Sequence, residues 1–111
     1  MKPLLLVILA IFCNVGAQVA LKLGASHELR WHTLFSIPVL SGLALYAVAF
    51  VLSIRIYAAY PLSLISPLMA AAIFLLISLT SVLLFNESMT PQKMLGMSVI
   101  VLGIWLLASS P

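Results

Sequence analysis

Asn14, Gln18 and Lys22 stand four residues apart near the end of an almost unbroken apolar run, PLLLVILAIFCNVGAQVALK, from Pro3 to Lys22. On a helix this spacing puts all three on one face, each about a turn beyond the last. Two are amides that both donate and accept hydrogen bonds, and the third is an ammonium that attracts anions. An amide in hydrocarbon needs a partner. The face is therefore expected to look at another helix, a bound ligand or a water-filled cavity rather than at lipid.

Other polar residues are candidates for the same kind of contact. Arg55 follows a second apolar run, where its guanidinium meets headgroups or an anionic ligand. Tyr60 and Tyr57 suit interfacial anchoring, and either hydroxyl can donate to a substrate. Ser63 and Ser66 precede Pro67, which has no N–H and so deprives the Ser63 carbonyl of its donor. Freed carbonyls of this kind occur along cavities in transporters, and also in proline-bearing membrane helices with no such role. Glu87 lies in the loop NESMTPQ near the surface, close to Lys93. His27 and His32 are five apart without the cysteine or carboxylate set that a zinc site needs, and are expected to be interfacial. The single cysteine, Cys13, lies within the first apolar run as a small hydrophobe.

No catalytic constellation accompanies these groups: there is no Ser/His/Asp set, no paired carboxylate and no phosphate-binding glycine loop. The chain is expected not to be an enzyme and to need no metal or cofactor. Its net charge of +3 is scattered over Lys2, Lys22, Arg30, Arg55 and Lys93 against Glu28 and Glu87, near helix ends, so membrane anchoring and not nucleic-acid binding accounts for the basic balance.

The elements that must position these residues follow from composition. The 111 residues are 65% hydrophobic and 6% charged, with a mean hydropathy of +1.32. Such a chain is predicted to be an all-α integral membrane protein with one domain over residues 1–111 and four spans, at about 3–21, 32–54, 61–85 and 92–109. Lys2 before an apolar run resembles a signal peptide. The length of that run and its two amides predict instead a retained first helix.

Proline at position 3 suits a first helical turn, Pro38 is expected to tilt or bend the start of the second helix, and Thr90 before Pro91 fits an N-cap and first helical residue. Small residues suggest where helices approach. Gly16 lies among the polar positions of helix one; Gly42, Ala49 and Ser53 recur on one face of helix two; Gly96 and Gly103 share a face of helix four. Orientation is not set by charge, because Lys2 and Arg55 on one side oppose Lys22, Arg30 and Lys93 on the other.

The segment NVGAQVALKLGA, Asn14 to Ala25, resembles the end of the first helix in the EamA-like branch of the drug/metabolite transporter superfamily. It is also similar to the same region of the two small subunits that flip aminoarabinose-phosphoundecaprenol. The segment FNESMTPQKMLGMSVIVLGIWLL, Phe85 to Leu107, resembles the last loop and fourth helix of that superfamily, including Glu87, Thr90, Gln92, Gly96 and Gly103. In plan the chain is also similar to the small multidrug resistance proteins. Those exporters carry a membrane-embedded glutamate in helix one, and here the matching place holds Asn14, which cannot exchange a proton. The aromatic lining of their third helix is replaced by Ser63, Ser66 and Met69.

The resemblance implies a flippase-like carrier of a polyprenyl-phosphate-linked sugar or related anionic lipid in the bacterial cytoplasmic membrane. It would work as a homodimer or as a heterodimer with a paralogue. Asn14 and Gln18 would bond the sugar, Lys22 and Arg55 would attract the phosphate near opposite interfaces, and Tyr60, Ser63, Ser66 and Glu87 would be further contacts. Export of lipophilic cations and a non-transporting structural role are the alternatives.

Overall fold

The structure, a computed structural model, describes residues 3–25 and 30–109. The first-loop residues Ser26, His27 and Glu28, and Lys2 before the first helix, lie outside the described residues. Among these described residues five helices follow in order: α1 (Pro3–Gly24), α2 (Trp31–Leu34), α3 (Ile37–Ala59), α4 (Leu62–Phe85) and α5 (Pro91–Ser109). Among the described residues there is no strand. α1, α3, α4 and α5 are each long and apolar enough to cross a membrane, which marks an integral membrane protein. At 22 residues α1 is about 33 Å long, against a hydrocarbon core of about 30 Å.

The chain divides into two compact units, 1–59 and 60–111. In the first, α1 and α3 pack antiparallel, as three pairs show. A β-carbon built on Gly16 would stand 3.3 Å from Leu45 Cδ1, one on Gly42 would stand 3.1 Å from the Ala17 carbonyl oxygen, and one on Gly24 would stand 2.9 Å from Val39 Cγ2. Glycine at these places lets two helices approach in a setting where hydrophobic burial against lipid gains little. Ala17, Gly42 and Ala49 are buried along the way.

The second expected helix begins differently. In place of one helix from residue 32, α2 makes a single turn, and Phe35 and Ser36 interrupt it before α3 starts at Ile37. Pro38 is the reason: it has no N–H to give to a carbonyl one turn earlier, so a helix running through from α2 would lose a bond there. Beginning α3 at residue 37 puts Pro38 in a first turn, where no such bond is required. Ser36 closes the gap, its carbonyl accepting from the Leu40 N–H at 2.9 Å and its hydroxyl donating to the Thr33 carbonyl at 2.8 Å. The break leaves Trp31 and Phe35 stacked, ring centroids 6.4 Å apart, with Trp31 77% exposed.

In the second unit α4 continues through Pro67 and ends at Asn86, which adopts a left-handed conformation (φ 52°). Asparagine tolerates this region better than most residues. Thr90 and Pro91 then start α5: the Thr90 hydroxyl oxygen accepts from the Lys93 N–H at 3.2 Å, as an N-cap should. α4 and α5 lie antiparallel along an apolar groove of about 310 Å³, between Pro67, Ala71 and Phe74 on one side and Ile100, Gly103 and Leu107 on the other. α5 buries none of its residues, and a β-carbon on Gly96 or Gly103 would meet nothing within 4 Å.

Candidate functional site

The polar face of α1 emerges from a packed row. Ala10, Asn14, Gln18 and Lys22 are successive i+4 positions, and each step turns about 40° around the helix because four residues exceed one turn. Ala10 is fully buried, Asn14 and Gln18 are half-buried and Lys22 is exposed. The row thus leaves the core gradually and carries its polar groups to the edge of the buried side. Ala17 and Leu21, which meet Gly42 of α3, lie on the adjoining strip.

The two amides are held differently. Asn14 Nδ2 donates to the Ala10 carbonyl oxygen at 2.9 Å, one turn back along its own helix. Ser53, Thr80, Ser81 and Ser98 satisfy their hydroxyls in the same way, on the carbonyls of Ala49, Leu76, Ile77 and Met94. The Gln18 amide makes no hydrogen bond among the described residues, although it lies half-buried within a membrane-length helix. Asn14 keeps its amide oxygen and its second Nδ2 hydrogen available, so together they offer a donor and an acceptor from Asn14 and two donors and an acceptor from Gln18.

The other sequence candidates fall in three places. Arg55 is exposed in the last turns of the antiparallel α3, and Lys22 in the last turn of α1. They therefore stand at opposite ends of the first unit. Val39, opposite Gly24, is 16 residues from Arg55, or about 24 Å along a helix, too far for one phosphate to touch both basic groups. Tyr60, half-buried, and the exposed Ser63 and Ser66 open the second unit. Glu87 is exposed at the far end of α4 and shares with Ser78, Ser81, Ser88 and Lys93 the lining of a cavity of about 110 Å³. Ser53 lies on α3 with its hydroxyl turned back to Ala49.

Two features escaped the sequence reading. Gly24, the last residue of α1, packs beside Pro38 and Val39, and nothing in their spacing of 14 and 15 residues gives a sign of this. The second is the grouping with Glu87 of Ser78 and Ser81, which share a helix face three residues apart. What brings Glu87 back to them is the left-handed Asn86, and the Glu87 N–H donates to the Ser81 carbonyl at 3.2 Å.

Chemically, the α1 face can bind a ligand rich in hydroxyls or carbonyls, with a cation at its exposed end. Glu87, the only acid among the described residues, lies outside the four spans. No family model matches the chain, and no curated protein matches it.

Proposed function

We propose that this protein is a flippase-like membrane carrier that moves a polyprenyl-phosphate-linked sugar, or a related anionic lipid, across the bacterial cytoplasmic membrane. The observation that carries the reading is the Gln18 amide, half-buried in a span and without a hydrogen bond among the described residues, one turn before the exposed Lys22. An unpartnered amide in hydrocarbon is costly, and the hydroxyls of a sugar would satisfy it while the neighbouring ammonium pairs with phosphate. The lipid tail stays in the bilayer. Lys22 and Arg55, at opposite ends of the first unit, supply a basic group for the phosphate on departure and on arrival. The resemblance of Asn14 to Ala25 to the aminoarabinose-phosphoundecaprenol flippase subunits supports the same choice.

Four helices are few for enclosing a sugar, so the carrier works as at least a dimer, with itself or with a paralogue. Export of lipophilic cations is disfavoured by the amide at position 14, which supplies neither counter-charge nor proton exchange. A structural membrane subunit is the second reading, favoured by the uncovered α5 with its open Gly96 and Gly103. In that reading Gln18 bonds to another chain.

Translocation of fluorescent polyprenyl-phosphate sugars in proteoliposomes separates these readings. The carrier reading predicts transport by the wild type, a loss of about tenfold or more in Gln18→Ala, and smaller losses in Asn14→Ala and Lys22→Ala. Transport absent in the wild type, or unaffected by all three substitutions, would sink it. Proton-driven uptake of quaternary cations would support the exporter instead.

A further inference from the structure

The cavity at the α4–α5 loop carries an inference that does not depend on the transport reading. It is lined by Ser78, Ser81, Glu87, Ser88 and Lys93, with Val82 and Met89 between them, and it lies where the membrane-length α4 stops, the end that in a spanning helix reaches the headgroups. Its two charged groups are opposite in sign. Lys93 Nζ donates to the Ser88 carbonyl at 2.9 Å, which anchors the ammonium and leaves two of its protons uncommitted. Glu87 makes no side-chain hydrogen bond or ion pair among the described residues, although Lys93 faces the same cavity. The Ser78 hydroxyl, half-buried, is likewise without a hydrogen bond there, and the Ser81 hydroxyl, spent as a donor on Ile77, can still accept.

The loop that presents these groups is fixed at both ends. The Glu87 N–H is bonded to the Ser81 carbonyl, and Thr90 caps α5 through the Lys93 N–H. A lone anion entering the cavity would meet the Glu87 carboxylate, and a lone cation would meet Lys93. A ligand with both charges a few bonds apart satisfies both. At about 110 Å³ the cavity has room for roughly seven to eleven water-sized atoms, enough for a phosphoethanolamine and not for a whole sugar phosphate.

We propose that this cavity binds the headgroup of a zwitterionic phospholipid of the phosphoethanolamine class, its primary ammonium on Glu87 and Ser81 and its phosphate on Lys93 and Ser78. The N–H donors of a primary ammonium are essential to the fit, because carboxylate and hydroxyl oxygens accept hydrogen bonds that a trimethylammonium group cannot give. Phosphatidylcholine carries the same two charges without those donors and should bind less well.

Native mass spectrometry of the protein released from nanodiscs of equal parts phosphatidylethanolamine, phosphatidylcholine and phosphatidylglycerol tests this directly. The wild type should retain phosphatidylethanolamine over phosphatidylcholine by about tenfold, and needs no variant to do so. Glu87→Gln should bring the two to parity. Lys93→Gln should lower retention of both while leaving their ratio in place. Equal retention of the two lipids by the wild type, or a preference that survives Glu87→Gln, would overturn the assignment.

Discussion

A β-carbon at position 42 would stand 3.1 Å from the carbonyl oxygen of Ala17, so the backbones of α3 and α1 meet at Gly42 with no room for a larger residue. Leu21 closes the other side at 3.0 Å. Gly42→Ala should lower the stability of the detergent-solubilised protein by about 1 kcal/mol and Gly42→Leu by about 3 kcal/mol. Gly103→Ala, whose β-carbon would enter open space, should be neutral or should stabilise by about 0.5 kcal/mol through helix propensity. Thermal unfolding followed by circular dichroism ranks the three; equal effects at positions 42 and 103 would contradict this packing.

Asn86 gives a second test, of backbone conformation. Its left-handed backbone lets Glu87 turn back to Ser81. Asn86→Gly should be neutral, while Asn86→Ala should cost about 1 kcal/mol, because alanine keeps the β-carbon that crowds the following carbonyl and loses the polar side chain that offsets it. The same melting measurement decides it, with Asn86→Ala expected to fall below Asn86→Gly.

Gln18 connects stability with function. Replacing an unpartnered amide by an apolar side chain of similar length removes a desolvation penalty, so Gln18→Leu should stabilise the ligand-free protein by about 1 kcal/mol while abolishing transport. Chemical unfolding in detergent reads the first effect. A loss of stability would mean that Gln18 bonds to another chain, as the structural-subunit reading requires.

The four long helices were legible because each is a membrane-length apolar run ended by polar or helix-breaking residues, and the start of α5 at Thr90 and Pro91 followed from capping chemistry alone. The break at Phe35 and Ser36 was not legible: Pro38 signals a disturbed turn, but whether a helix bends or restarts depends on how α3 must lie against Gly24. At the candidate site, the shared face of Asn14, Gln18 and Lys22 follows from periodicity. The difference between a satisfied Asn14 and an unsatisfied Gln18 does not, because it turns on side-chain reach and rotamer. Nor does the cavity at Glu87, which needs the left-handed Asn86 to close it.

If the α1 face touches a lipid-linked sugar, photo-crosslinking will capture it from position 11, which shares that face with Gln18 seven residues further on and leaves the amide in place. With a photoreactive residue replacing the half-buried Ile11, in proteoliposomes containing a radiolabelled polyprenyl-phosphate sugar, illumination should attach the label to the protein. An excess of unlabelled substrate should compete it away. Crosslinks only to a second protein chain, or only to bulk phospholipid, would contradict the account.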